Sequence, residues 1–331
     1  MAALSTLIER VRAGLSPVEL VYTSHEHWPC PRPSSLPSPR HPSTQIRIAV
    51  LDSSFNPPTR AHLALANASR PPAVLGDLAD TADYDAKLLL LSVRNADKQL
   101  RAGDASYAQR LEMMLRFAPD VRHGNAGTGA DTRADTAHDN VAVGIIDAPT
   151  FVGKSSALLA FLRHRSSAVP DTSAPQLAAG RDVAPDVRLP EQSTGDGAYA
   201  GTELSVQPQL TFLVGMDTLE RLFAPRFYES EEVMFASLRQ FFSSDGDNAR
   251  IVCARRSLGP LHQENEAGRK LMQDAEEYLQ SGSVSVIDIA ETERSISSTM
   301  VRQLVKSGDD NWRKLVTPAV AEYIVEHNLY R

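Results

Sequence analysis

The chain has 331 residues, with 34 Lys and Arg against 41 Asp and Glu, 42% hydrophobic and 23% charged. That composition excludes global disorder and fibrous classes, and a net charge of −7 argues against holding nucleic acid by general electrostatics. Cys30 and Cys253 are too few for a disulfide framework and stand at no zinc spacing, and no uncharged apolar run reaches the ~18–20 residues of a membrane span.

Residues 1–22 predict helix and strand elements, with Leu4, Leu7, Ile8, Val11 and Leu15 at helical spacing. Arg10 and Arg12 give this stretch the look of a mitochondrial presequence, but Glu9 and Glu19 count against one. An edge helix in a protein of the cytosol or nucleus is the simpler expectation. Residues 23–45 carry prolines 29, 31, 33, 37, 39 and 42 with almost no aliphatic residues. Such a segment has nothing to bury against its ordering entropy, and is expected to be an extended linker.

From residue 46 to 331 short apolar runs alternate with helical patterns. Strands are expected at Ile46–Leu51, Lys87–Ser92, Val141–Ile146, Leu210–Val214, Arg250–Cys253 and Val284–Ile287. They are apolar on both parities, as strands covered on both faces must be. Helices are expected at Ala61–Ala68, Tyr107–Phe117, Ser155–Leu162, Leu219–Leu222, Glu264–Leu279, Met300–Lys306 and Pro318–His327. The Gly/Asp/Thr-rich residues 122–140 and the Ser/Ala/Pro-rich residues 163–208 read as flexible insertions, the second disordered. The alternation predicts an α/β fold, a single domain with a doubly wound parallel sheet. Chemistry then belongs beyond the carboxyl ends of the strands.

The first strand runs into Asp52-Ser53-Ser54-Phe55-Asn56-Pro57-Pro58-Thr59-Arg60-Ala61-His62. Prolines cannot continue a strand but are tolerated where a helix begins. Small Ser53 and Ser54 let backbone N–H groups face a ligand, and Thr59 and His62 share a helix face. A donor pair beside a helix N-terminus suits a phosphate; a turn that His62 merely caps is the alternative. Near the other end, Ser297 or Ser298 would cap a helix with an apolar stripe at Val301, Leu304 and Val305, stopped by Gly308. Its free N–H groups, Ser298 and Thr299 could hold phosphate oxygens, and Arg302 could fork two of them.

SSFNPPTRAH closely resembles the first motif of the nucleotidyltransferase superfamily, (G/S)xFxPxHxGH, in the Thr variant seen in eukaryotic nicotinamide mononucleotide adenylyltransferases. ISSTMVR, at Ile296 to Arg302, resembles the second signature, ISSTxxR, and LVTPAVAEYIVEHNLYR resembles the ending of those enzymes. LDSSFNPPT, with SVRNADK and DAPTFVGKS, looks like a fungal subgroup. The resemblance implies a Rossmann-like fold and transfer of AMP from ATP to nicotinamide mononucleotide, with Mg²⁺ accompanying ATP. It implies His62 and Arg302 as catalytic residues. ATP would be held by Ser53, Ser54, Phe55, Thr59, His62, Gly215, Asp217, Ser297, Ser298, Thr299 and Arg302. The mononucleotide would meet Ser54, Phe55, Lys98, Phe151 and Arg255, with Arg110 a weaker candidate and Phe151 standing where relatives often carry Trp. An adenylyl- or cytidylyltransferase with another phosphorylated acceptor, such as nicotinate mononucleotide, or a non-catalytic nucleotide-binding regulator, are the competing readings.

Other matches count for less. Gly153-Lys154-Ser155 resembles the tail of a P-loop, but Ala148 stands where its first glycine belongs. GNAGTG opens no helix after a strand. His25, His27 and Cys30 sit in the Pro-rich segment, where metal binding is less expected than coincidence.

Overall fold

The computed structural model describes residues 2–31, 44–72, 83–94, 103–122, 140–167, 206–255 and 266–331. Lys98, Arg256, the GNAGTG run and most of the two long insertions lie outside them.

Strands β1 (Val18–Thr23), β2 (Thr44–Asp52), β3 (Ala86–Ser92), β4 (Val141–Ile146), β5 (Val206–Gly215), β6 (Arg250–Arg255) and β7 (Val284–Asp288) form one sheet in the order β1-β4-β3-β2-β5-β6-β7. From β2 to β7 every pairing is parallel. The chain steps outward from β2 through β3 to β4, then returns to place β5 against the other side of β2. The sheet is therefore the expected doubly wound, Rossmann-like type, and its switch point lies between β2 and β5.

Helices α1 (Ala2–Arg12), α2 (Arg60–Ala66), α3 (Tyr107–Phe117), α4 (Phe151–Ser167), α5 (Met216–Leu222), α6 (Glu231–Phe242), α7 (Glu266–Gln280), α8 (Glu291–Arg294), α9 (Ser298–Ser307) and α10 (Pro318–Glu326) cover both faces. The period of two sorts each strand between two cores. Ala49, Leu51, Leu89 and Leu213 pack under Val11, Leu65, Phe117, Val301 and Ile324. Ile48, Val50, Leu88 and Phe212 pack under Leu158, Leu219, Leu238 and Tyr278 on the opposite face. Apolar runs on both parities are what two covered faces require.

Several features depart from the sequence reading, the short helix α8 among them. β1 pairs antiparallel with β4, so one edge of the sheet is not parallel; VELVYT has the mixed polarity of an edge strand and gives a weak signal. α6 was not expected either, although Ser230 caps it and Glu231 and Glu232 occupy its first turn. Finally, the Pro-rich segment is not wholly an unpacked linker. Trp28 is fully buried and donates its indole N–H to the Asn140 carbonyl at 3.2 Å. The second insertion is likewise structured at its flanks, since α4 runs through Ser167 and β5 begins at Val206. At the start of the chain Ile8 and Val11 are buried against the first core, as an edge helix should be.

Tyr84 and Tyr330 are buried, and burial pushes the pKa of both phenols well above the usual tyrosine value. The folded state therefore keeps protons that the unfolded chain releases above pH ~10. This contribution to stability is complete below that pH and is lost as pH rises toward the raised values, by up to about 1.4 kcal/mol per pH unit for each tyrosine. Melting temperatures followed by circular dichroism should be level from pH 7 to 9 and fall from pH 10 upward. Tyr330→Phe should make that alkaline decline shallower.

Candidate active site

A cleft of about 600 Å³ opens over the carboxyl ends of β2 and β5, where a doubly wound sheet places its ligands. Both signature segments, separated by more than two hundred residues of sequence, face it.

His62 lies in the first turn of α2. Thr59 caps that helix and accepts the His62 backbone N–H at 3.4 Å. In return His62 Nδ1 accepts the Thr59 backbone N–H at 3.1 Å, closing a capping box in which histidine occupies the usual Glu or Gln position. A backbone N–H can only donate, so Nδ1 is the acceptor nitrogen and the neutral ring carries its proton on Nε2. Nε2 stands 2.9 Å from Ser53 Oγ, and His62 and Ser53 both line the cleft. Local capping thus fixes the tautomer that offers a proton to an anion.

The loop between β2 and α2 is held from below. Phe55 adopts a left-handed φ of 43°, a conformation that costs a non-glycine residue energy and persists only when its surroundings enforce it. Its ring is fully buried, 5.4 Å from the His62 ring and 6.5 Å from Phe117. Arg110 Nε donates to the Ala105 carbonyl at 2.9 Å and its Nη1 to the Ser54 carbonyl at 3.4 Å. Asn56 donates to Asp104 Oδ1 at 2.7 Å and accepts the Tyr330 hydroxyl at 2.9 Å.

The second signature is tied to this same loop. Arg302 Nη1 donates to the Asn56 carbonyl at 2.7 Å, and Ser298 Oγ to the Pro57 carbonyl at 2.8 Å. Ser297 caps α9 by accepting the Met300 N–H at 3.2 Å; Gly308, with φ 73°, ends it. The N-terminus of α9, with its unsatisfied N–H groups and positive dipole end, therefore opens on the cleft beside His62. Arg302 Nε is 3.8 Å from Asp104 Oδ1, so the guanidinium is held by a carbonyl and a carboxylate.

The remaining wall comes from the switch point and the strands on either side. Gly215 has φ −90° and ψ 166°, a backbone that any residue adopts, and a Cβ there would meet no atom within 4 Å. The turn does not require glycine; its effect is to leave that part of the cleft open. Exposed Asp217 follows in the first turn of α5. Phe151 packs edge-on against Phe212 at 5.5 Å while one side lines the cleft, so it serves the core and also presents a ring to a ligand. Arg255 lines the far side, its Nε 3.7 Å from Asp288 Oδ1.

Of the expected site residues, Ser53, Ser54, His62, Phe151, Gly215, Asp217, Arg255, Ser297, Ser298, Thr299 and Arg302 are brought together around one cleft. Two others are not ligand contacts. Phe55 and Thr59 have no exposed surface, and they shape the loop and orient His62 instead. Arg110 is also buried and bonds to the loop, but unlike Phe55 and Thr59 it lines the cleft. Lys98 lies outside the described residues. Sequence reasoning missed three cations of the cleft, Lys154, Arg221 and Arg294. Lys154, passed over with the P-loop reading, forms a buried ion pair with Asp52, Nζ to Oδ2 2.5 Å. Arg294 lines the cleft from α8, just ahead of the second signature; a positive residue so close to a phosphate-type motif was a usable signal. Among the described residues no group of three or more His, Cys, Asp or Glu could hold a metal ion, and no helix is long and apolar enough to cross a membrane.

Fold and site together define a doubly wound α/β protein whose switch-point cleft gathers His62, the start of α9 and several arginines. No protein-family model matches the chain. Among curated proteins it is similar to a probable nicotinate-nucleotide adenylyltransferase of Dehalococcoides mccartyi strain CBDB1, 31% identical over 129 residues, or 39% of this chain and 52% of that protein. A probable nicotinate-nucleotide adenylyltransferase of Hydrogenovibrio crunogenus is 31% identical over 99 residues, 29% of this chain and 47% of its own. The chain thus spans about half the length of the curated relatives it matches. Among solved structures it is similar to Plasmodium falciparum nicotinic acid mononucleotide adenylyltransferase complexed with APC, at 11% identity and a TM-score of 0.41, over 86% of this chain and 97% of that one.

Proposed function

We propose that this protein is a nucleotidyltransferase that transfers the adenylyl group of ATP to a pyridine mononucleotide, making a dinucleotide and pyrophosphate for NAD biosynthesis. The observation that carries the reading is the convergence of a proton-bearing His62 Nε2, the start of α9 and Arg302 on one cleft.

In this mechanism the phosphate of the mononucleotide attacks the α-phosphorus of ATP in line, and the bond from that phosphorus to the β-phosphate oxygen breaks. The attacking phosphate is already anionic, so no protein nucleophile or strong base is needed. Catalysis reduces to positioning and to stabilising charge on the α-phosphate and on departing pyrophosphate. His62 Nε2–H donates to an α-phosphate oxygen. Ser298, Thr299 and Arg302 hold the β- and γ-phosphates, and Mg²⁺ enters bound to them as part of the substrate. Open space at Gly215 admits the adenosine, with Asp217 near its edge. Ser54 faces the incoming mononucleotide phosphate, with Lys98 assigned there by the family resemblance, and Phe151 offers a face to the pyridine ring.

Two acceptors compete. The Thr59 variant and the C-terminal ending favour a pyridine mononucleotide, and their resemblance to eukaryotic nicotinamide mononucleotide adenylyltransferases points to the nicotinamide form. The names of the curated relatives favour nicotinate mononucleotide. Purified protein with ATP and Mg²⁺ should be given each mononucleotide, and phosphopantetheine, with dinucleotide and pyrophosphate measured. We expect dinucleotide with the pyridine mononucleotides, and the larger kcat/KM for nicotinamide mononucleotide. A larger value for nicotinate mononucleotide would reassign the acceptor. No product with any of them would leave a nucleotide-binding regulator as the better reading.

A further inference from the structure

Arg294 is a cation that the reaction scheme above does not use. Its side chain is nine-tenths buried, yet it lines the cleft. Nη2 is anchored, donating to the Ile289 carbonyl at 3.2 Å and standing 3.5 Å from Asp288 Oδ1. Nε and Nη1 are buried with no hydrogen-bond partner among the described residues. A guanidinium held this way is costly to the protein, because donors removed from water go unmatched. A buried charge with idle donors at the wall of a cleft needs an anionic partner.

The surroundings favour the same partner. The Asp288 oxygen that faces Arg294 is also the one 3.7 Å from Arg255 Nε. Two guanidiniums thus share one carboxylate that is itself more than half exposed, leaving a net positive charge at the carboxyl ends of β6 and β7. Arg294 precedes Ser297, the cap of α9, by three residues, and both line the same space. Phe151 and Ser54, on the proposed mononucleotide side, follow β4 and β2. Sharing the Asp288 oxygen with Arg294 moves Arg255 away from that side, where the sequence placed it. We propose that Arg294, backed by Arg255, is a polyphosphate-binding residue that grips the β- and γ-phosphates of the nucleotide and holds pyrophosphate as it leaves. This assignment rests on the adenylyl-transfer reading for its role, but not for its binding chemistry.

The test measures binding of inorganic pyrophosphate, ATP, AMP and nicotinamide mononucleotide, each with Mg²⁺, to the full chain by calorimetry. It uses the wild type, Arg294→Gln and Arg294→Lys. Arg294→Gln should weaken pyrophosphate and ATP at least tenfold while AMP and the mononucleotide stay within twofold. Arg294→Lys, which keeps the charge, should recover most of the pyrophosphate affinity. Arg294→Gln gives up the anchored Nη2 but also relieves the two unmatched donors, so the unliganded variant should melt within a few degrees of the wild type. Unchanged pyrophosphate affinity in Arg294→Gln would overturn the proposal, as would a wild type that binds no pyrophosphate. So would equal loss of all four ligands with a collapsed fold, which marks a structural arginine, or loss confined to the mononucleotide. The parent reading fails differently, through absence of dinucleotide product from the wild type. Arg294-dependent pyrophosphate binding would then still place a polyphosphate site here.

Discussion

Replacing His62 with alanine should lower turnover by about 10²- to 10³-fold, the usual effect of removing one preorganised donor to a charge that grows in the transition state. The KM for ATP should change far less, since the start of α9 and Arg302 remain to bind the triphosphate. Part of the loss will be structural. His62 Nδ1 accepts the Thr59 N–H within the capping box, and losing a cap interaction costs about 1 kcal/mol. That is small beside the roughly 5–15 kcal/mol that holds an ordinary domain together, so the variant should fold and melt only a few degrees lower. Thr59→Ala separates the two contributions. It removes the hydroxyl 2.8 Å from Nδ1 but leaves the ring in place, and should cost stability without abolishing turnover. If His62→Ala turned over at a near-normal rate, the histidine would be only a cap and the mechanism would need another donor to the α-phosphate.

The largest effect on stability is expected from the ion pair beneath the cleft. Asp52 ends β2 and Lys154 lies in the first turn of α4; both side chains are more than nine-tenths buried. Replacing Lys154 with alanine leaves a buried carboxylate without its partner, which typically costs about 3–5 kcal/mol. At the roughly 2 °C per kcal/mol expected of a chain this long, melting should fall by about 5–10 °C. Changing both partners at once, Asp52→Asn together with Lys154→Met, should recover much of that loss, because an apolar or neutral pair of similar volume no longer strands a charge. The pair also reaches the chemistry. Lys154 Nζ sits 5.1 Å from the centre of the Phe151 ring, so its removal frees the ring proposed to face the pyridine and should raise the KM for the mononucleotide more than that for ATP. Urea melts and steady-state kinetics on the wild type, the single variant and the double variant measure both. A Lys154→Ala protein as stable as the wild type would mean that water reaches Asp52.

What the sequence discloses and what it conceals divide along physical lines. His62, Ser298 and Arg302 stand at fixed spacings beside a capped helix start, and spacing is a property of the chain. The strands β2 to β7 were legible for the same reason, since burial on both faces writes apolar runs. Thr59 and Phe55 belong to the same signature, but whether a side chain in it faces ligand or core depends on the turn geometry, here a left-handed residue at Phe55. Lys154 matters because of its partner Asp52, 102 residues away in the chain, which no local pattern encodes. Arg294 bonds locally, and only its idle donors were hidden from the sequence. β1 is an edge strand whose outward residues meet water, which erases the apolar signal.

The loop at Asn56 and Pro57 is completed by Ser298, Arg302 and Tyr330, at sequence separations of 241, 246 and 274 residues. During synthesis at ordinary rates the loop therefore waits on the order of tens of seconds for these partners to leave the ribosome. β2, β3 and β4 are made long before then, whereas the α9 side of the cleft does not yet exist. A nascent or prematurely terminated chain would thus lack the groups proposed to bind a triphosphate. On the proposed function, competence would arrive in one late step, when α9 and the chain's last residues join the loop.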